Sequence, residues 1–324
     1  MIPGTILYVD DEAMALKYFE KLVAPLAPVL TAPSVAQGKA VLDQRAGEIA
    51  VLVADQRMPG AHGNELLRYA RERHPNVVRM LTTAYSELGE AIEAINAGEI
   101  YRYITKPWEM ESLHADLRNA LELAVLRAER DSLLREKMQL QQQQLLGHRA
   151  GQLALLCTGA GQDTADALHA FLSVAIRVGC PLPAIDWRVI DHADLMQMEV
   201  ARGAAMRDQL EQWRSGFESA VQPGQALAAL ARALPGHTRL QGDALKVNDA
   251  RIFTDLLAGP PQELPTAAQV AWLAWLLRWS GAARVQGSAA AWEVVLETGA
   301  STAARPPDWL AGDIEQLQLT SAGV

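Results

Sequence analysis

Acidic, hydroxyl and basic side chains follow the ends of short apolar runs in the first third of this sequence. Asp10 and Asp11 follow the first run, and Asp55 ends the third. Thr83 and Lys106 stand at the ends of two later runs. Because the carboxyl ends of parallel strands meet at one edge of a sheet, we expect these groups to lie together.

These residue types suit phosphoryl transfer to a carboxylate. Asp10, Asp11 and Asp55 predict a Mg²⁺ site, since a hard divalent cation takes oxygen ligands. Asp55 can act as a nucleophile and form an acyl phosphate when a cation and fixed donors clamp the developing charge. Lys106 would supply that charge and Thr83 a hydroxyl. The pattern predicts a phospho-aspartate switch with Asp55, Thr83 and Lys106 as its catalytic residues.

The elements that must position these groups alternate between strand and helix over residues 1–125. Apolar periodicity predicts helices at 13–24, 35–45, 63–73 and 88–97, and another from Glu109 onward. Alternation of this kind indicates an α/β fold with a doubly wound, five-stranded parallel sheet.

Residues 3 to about 125 resemble the receiver domain of bacterial response regulators. The resemblance rests on Asp10-Asp11, Asp55 with Met58-Pro59-Gly60 and Gly63, Thr83-Ala84, and Lys106-Pro107, in the order and spacing of that family. It implies a backbone metal ligand at Arg57, an aromatic switch at Tyr103 and a cis Lys106-Pro107 bond. It also implies a histidine kinase or phosphotransfer protein as the phosphoryl donor.

Composition predicts two domains, because single cores stop growing at about 250 residues and the chain has 324. The net charge is −9, and two cysteines, Cys157 and Cys180, give no disulfide framework, which favours the reducing cytoplasm. The sequence shows neither an export signal nor an apolar run of membrane-spanning length. We therefore expect no membrane association.

The helix that begins at Glu109 meets no proline or glycine until Gly147, which predicts a linker over residues 126–150. Apolar residues at approximate heptad spacing favour a parallel coiled coil and a homodimer. The alternatives are a helix folded back on its own chain and a pliable joint at the glutamine run 141–144. The apolar series comprises Leu113, Leu117, Ala120, Ala124, Leu134, Met138 and Leu145.

Residues 151–324 are predicted to form an α+β output domain, with strands near 238–241, 283–286, 292–296 and 316–319. They contain 12 basic and 18 acidic side chains, a net charge of −6, which argues against DNA binding. Trp272, Trp275 and Trp279 share one helix face. That face is either buried core or a docking surface for a protein target.

The segment from 135 to 300 resembles a histidine kinase, with dimerisation helices followed by the start of an ATP-binding domain. The resemblance to the ATP-binding domain rests on Leu240-Gln-Gly-Asp243 and Ile252-Phe-Thr-Asp-Leu-Leu257. Where such a kinase carries its phosphorylated histidine, this chain reads Gly161-Gln-Asp-Thr164. The resemblance implies a pseudokinase without catalysis, so we do not predict an enzyme. The alternatives are an active divergent kinase, ATPase or phosphatase and an unrelated binding domain.

Overall fold

The structure, a computed structural model, describes residues 4–84, 100–158, 164–217, 223–279, 283–288, 291–296 and 306–321. The chain divides into two compact units, Met1–Arg135 and Glu136–Val324. Among the described helices, none is long and apolar enough to cross a membrane.

The first unit alternates strands and helices. Its elements in chain order are β1 (Thr5–Val9), α1 (Ala13–Val23), β2 (Val29–Ala32), α2 (Val35–Arg45), β3 (Ile49–Asp55), β4 (Arg57–Met58), β5 (Ala61–His62), α3 (Gly63–Arg73), β6 (Val78–Ala84), β7 (Arg102–Lys106) and the start of α4 (Met110–Thr158). The helix predicted at 88–97 lies outside the described residues.

Five of these strands form a parallel sheet in the order β2-β1-β3-β6-β7. Every residue of β3 is buried, as a central strand covered on both faces requires. Side chains alternate between two apolar clusters, so that Leu52 and Ala54 pack on one face and Val51 and Val53 on the other. The predicted doubly wound parallel sheet is confirmed.

The long helix α4 continues beyond residue 150, the predicted end of the linker, to Thr158. Its first part packs Leu113 and Leu117 into the core of the first unit, while Leu145 packs with Ile190 and Leu195 in the second. The heptad-like series therefore serves packing within the chain at both ends of the helix. Between them, Leu134 and Met138 are 45% and 38% exposed, so the middle of the series faces solvent.

The glutamine run is held in place by hydrogen bonds within the second unit. The Gln142 side chain donates to the carbonyl of Pro183 at 2.8 Å. Gln143 and Gln318 each donate a side-chain amide to the backbone carbonyl of the other, at 3.3 and 2.9 Å. Two of the four glutamines therefore anchor the helix to neighbouring segments.

The second unit combines helices with an antiparallel sheet in the order β10-β11-β9-β8. Its elements after α4 are α5 (Thr164–Val178), α6 (His192–Phe217), α7 (Pro223–Ala233), β8 (Thr238–Gln241), β9 (Ala244–Val247), a 3-10 helix (Ala250–Phe253), α8 (Asp255–Ala258), α9 (Ala267–Trp279), β10 (Ala283–Ser288), β11 (Ala291–Leu296) and α10 (Trp309–Ser321). The predicted α+β character of this module is confirmed.

The strand predicted at 316–319 is wrong, because these residues lie within α10. Leu317 and Ser321, one helical turn apart, are the buried positions of that helix. A short apolar run does not distinguish a strand from a buried helix segment.

The tryptophan face is buried in the core of the second unit. Trp272 and Trp275 are fully buried and stack on each other with ring centroids 5.6 Å apart. The indole nitrogen of Trp275 donates to the carbonyl of Ala226 at 2.9 Å. Of the two interpretations left open by the sequence, the structure supports core packing.

Candidate functional site

The carboxyl edge of the parallel sheet brings together three groups singled out in the sequence. Asp10 follows β1, Asp55 ends β3 and Lys106 ends β7. Asp10 and Asp55 are 2% and 9% exposed. Because side chains alternate along a strand, these three groups share the sheet face that also carries α1 and the start of α4.

Lys106 joins the two carboxylates. Its Nζ lies 2.8 Å from Asp10 Oδ2 and 2.5 Å from Asp55 Oδ1. Burial would lower the pKa of Lys106, but its hydrogen bonds to Asp10 and Asp55 outweigh that effect and raise the pKa above its usual value. The lysine is therefore a fixed positive charge beside Asp55.

Asp10 is held by three donors. The backbone amide of Glu12 donates to Oδ1 at 2.9 Å, and Lys106 donates to Oδ2. The hydroxyl of Tyr8 also donates to Oδ2. Burial and this hydrogen bond raise the pKa of Tyr8 well above its usual range. In the sequence Tyr8 belongs to the apolar run before Asp10, and because it stands two positions before that aspartate it lies on the same strand face.

Asp55 receives two further donors. The backbone amide of Arg57 donates to Oδ2 at 3.0 Å, and the hydroxyl of Thr82 donates to Oδ1 at 3.2 Å. The hydroxyl predicted from the sequence is that of Thr83, the next residue along the strand. In the sheet Asp55 lies opposite Thr82, a register that the sequence does not reveal.

Thr83 is buried and lies on the opposite face of β6 from Thr82, because consecutive residues of a strand alternate. The side chain of Tyr103 packs against the apolar cluster of that opposite face. Thr83 and Tyr103 are thus on one side of the sheet, and the Asp55 carboxylate points to the other.

The residues assigned to metal binding are only partly assembled. Asp10 and Asp55 each offer an oxygen to one ammonium nitrogen, so the pair can share a cation. Asp11 is exposed, and within the described ranges no three acidic, histidine or cysteine side chains converge as a metal cluster. The carboxylates of Asp10 and Asp55 offer the oxygen donors that Mg²⁺ prefers, and Asp11 and the carbonyl of Arg57 stay predicted as further donors.

The loop after β3 is shaped by glycine. Gly60 has a φ of 81°, a left-handed conformation that favours glycine, in the turn between β4 and β5. A Cβ on Gly63 would lie 2.2 Å from the backbone carbonyl oxygen of Asp55. Gly63 therefore allows α3 to begin directly beneath the phosphorylation candidate.

The bond between Lys106 and Pro107 is cis, as expected. Beside it a cleft of about 370 Å³ opens next to Lys106. Trp108 forms one wall, with its ring stacked on Tyr18 at a centroid distance of 5.9 Å. The cleft therefore opens beside Lys106, the residue that joins Asp10 and Asp55. Its lining consists of Glu12, Met14, Ala15, Tyr18, Lys106, Pro107 and Trp108.

Comparison with known proteins agrees with this arrangement. Residues 6–118 match the family model described as the response regulator receiver domain. The hydrogenase transcriptional regulatory protein HoxA of Cupriavidus necator is 35% identical over 119 residues, which are 37% of this chain and 24% of that protein. The DNA-binding transcriptional regulator NtrC of Escherichia coli is 31% identical over 36% of this chain and 25% of that protein.

Among solved structures, a response regulator receiver domain protein from Clostridium thermocellum is 28% identical and aligns with 40% of this chain and 98% of its own, with a TM-score of 0.35. The chain spans about a quarter of the length of HoxA and NtrC.

Proposed function

We propose that this chain accepts a phosphoryl group on Asp55 and signals through its second unit. The proposal proceeds from the match of residues 6–118 to the response regulator receiver domain. The observation that carries the proposal is the bridge from Lys106 Nζ to the carboxylates of Asp10 and Asp55. Such a lysine stabilises the charge that develops on a transferred phosphoryl group.

In the proposed reaction an Asp55 carboxylate oxygen attacks phosphorus while the bond from phosphorus to the donor breaks. The donor is a histidine kinase or phosphotransfer protein, which leaves with the electron pair of that bond. The cleft beside Trp108 and Lys106 is the proposed docking place of the donor. When bound, Mg²⁺ would screen the charges of the incoming phosphoryl group, and Asp10, Asp11, Asp55 and the Arg57 carbonyl would hold it.

Thr83 and Tyr103 are the proposed readout of phosphorylation. Both side chains lie on the sheet face opposite the Asp55 carboxylate, which supports this role. If the Thr83 hydroxyl turns toward the phosphoryl group on Asp55, it leaves space beside Tyr103 on the face that it vacates. Tyr103 would then move into that space. The rearrangement would reach the second unit through α4, which is continuous from Met110 to Thr158.

A homodimer through α4 is part of the proposal. Leu126, Leu133 and Leu140 recur every seven residues and are 61%, 65% and 52% exposed. A seven-residue apolar repeat on an exposed helix is typical of a coiled-coil seam. The exposed Leu134 and Met138 flank it, so a second copy of the same helix is the proposed occupant.

The proposed output is binding of a protein rather than DNA. The net charge of −6 over residues 151–324 opposes contact with a phosphate backbone. The histidine-kinase resemblance of this unit, and with it the absence of catalysis, stays a prediction. The proposed compartment is the cytoplasm, in keeping with the free, buried thiols of Cys157 and Cys180.

The test is transfer of labelled phosphoryl from acetyl phosphate to the full chain in the presence of Mg²⁺. We expect alkali-labile, hydroxylamine-sensitive label on the wild type and none on Asp55→Asn. Label at the wild-type level on Asp55→Asn would show that Asp55 is not the acceptor. Light scattering with and without beryllium fluoride then measures the mass, and a monomer in both states would refute the dimer.

A further inference from the structure

Tyr8 is a fully buried polar side chain in the core of the first unit. Its ring is fully buried on β1, stacks on Phe19 at a centroid distance of 4.0 Å and meets the edge of Trp108 at 5.7 Å. Packing on two sides fixes the ring, and therefore also fixes the position of its hydroxyl.

The hydroxyl of Tyr8 is aimed at Asp10. It donates to Oδ2, the same oxygen that receives Lys106 Nζ at 2.8 Å. Thr82 is the corresponding hydroxyl donor to Asp55, at 3.2 Å from Oδ1. Two hydroxyls therefore stand beneath the two carboxylates that Lys106 joins.

The three donors to Asp10 differ in how firmly they are placed. Glu12 donates from the backbone to Oδ1, and Tyr8 donates from a packed ring to Oδ2. Lys106 is 30% exposed at its side chain and is shared with Asp55. In the proposed reaction Lys106 serves the phosphoryl group. When Lys106 contacts the phosphoryl group, Tyr8 is the side chain that still donates to Oδ2 of Asp10 and keeps that oxygen in place.

We propose that Tyr8 is a positioning residue of the Mg²⁺ site, which holds the Asp10 carboxylate in the orientation that binds the cation. The inference rests on the proposed function, since it concerns the metal that would assist phosphorylation of Asp55. Ligand carboxylates depend on such outer hydrogen bonds, and loss of one typically weakens metal binding about 10- to 100-fold.

Tyr8→Phe is the decisive variant, because it keeps the ring that stacks on Phe19 and removes the hydroxyl alone. We expect its Kd for Mg²⁺, measured by calorimetry on the unphosphorylated full chain, to rise about tenfold. Tyr69→Phe is the matched control. Its hydroxyl donates to Asp43 at 2.7 and 2.8 Å on another surface, and its loss should leave Mg²⁺ binding unchanged.

A double variant separates positioning from a general packing role. In an Asp10→Asn background, Tyr8→Phe should change the Kd for Mg²⁺ by less than about twofold, because the oxygen that Tyr8 orients no longer carries the charge. A tenfold further loss in that background would show that Tyr8 acts through the fold instead. Urea unfolding of each variant monitors stability independently of metal binding.

The outcomes also separate this inference from the proposed function. A wild type that fails to bind Mg²⁺ overturns both. Normal Mg²⁺ binding by the wild type, with equal or tighter binding by Tyr8→Phe, overturns the positioning role and leaves phosphorylation of Asp55 intact. Weaker binding by Tyr8→Phe and no effect of Tyr69→Phe supports the inference.

Discussion

Removal of the negative charge from a buried ion pair in the second unit should destabilise that unit strongly. Arg149 of α4 and Glu199 of α6 are each about 1% exposed and form two hydrogen bonds, at 2.9 and 2.6 Å. Arg149 also donates to the carbonyls of Leu257 and Gly259, at 2.5 and 2.6 Å. Glu199→Gln keeps the shape and deletes the charge that balances this arginine.

The magnitude follows from what the variant leaves behind. Each hydrogen bond to a charged group contributes about 1.5–3 kcal/mol, and removal of one partner from a buried pair costs about 3–5 kcal/mol. Arg202 is also buried, and desolvation and the charge of Arg149 lower its pKa to about 10. Without Glu199 the two buried guanidinium groups repel each other and Arg149 loses its carboxylate partner, while the weaker attraction of Glu263 acts on Arg202. We therefore expect a loss of about 3–5 kcal/mol in the free energy of unfolding.

Urea unfolding followed by tryptophan fluorescence measures this loss, because seven of the eight tryptophans lie in the second unit. Asp186→Asn is the control. Its partner Arg188 is 90% exposed at the side chain, so loss of that surface pair should give no resolvable change. If Glu199→Gln lowers the free energy of unfolding by less than about 1 kcal/mol, Arg149 does not depend on Glu199 to balance its buried charge, and the reasoning is refuted.

Two further predictions concern the first unit and acid stability. Gly63→Ala should destabilise the receiver domain by about 1–3 kcal/mol and weaken beryllium fluoride binding, because its Cβ would lie 2.2 Å from the Asp55 carbonyl oxygen. Gly47→Ala, where a Cβ meets nothing within 4 Å, should do neither in the same urea and binding measurements. The hydrogen bond from Arg251 lowers the pKa of Asp249 to about 2, so the unfolded chain binds this proton more readily. The resulting stability is present above about pH 4 and is lost toward pH 2. Because Arg251 is largely exposed, Asp249→Asn should cost only about 0.5–1 kcal/mol at pH 7 and progressively less toward pH 2 in urea unfolding, whereas a constant difference across that range would contradict the linkage.

Local pattern predicted the parallel strands and the described helices of the first unit, but not the short strands β4 and β5. The alternation of apolar runs and helical periods gave the five parallel strands, and the polar residues at the ends of those runs gave Asp10, Asp55 and Lys106. These signals are readable because a strand end and its polar residue are neighbours in the chain. The sheet then needs only its parallel order to bring them to one edge.

Contacts between distant segments were decided by the tertiary structure. The role of Thr82 beside Asp55 depends on the register between β3 and β6, and the role of Tyr8 depends on the packing that aims its hydroxyl. Arg149 and Glu199 are fifty positions apart, and nothing in their local sequences marks them as partners.

The same distinction explains the rest of the second unit and the long helix. The stretch 316–319 folds as a helix because Leu317 packs into the core of the second unit on α10, a contact that a four-residue pattern does not encode. The heptad-like series of α4 fixes a helix, but not its partner. The periodicity of the sequence predicts which face of a helix is apolar. Which residues cover that face depends on the tertiary fold, because they come from distant parts of the chain.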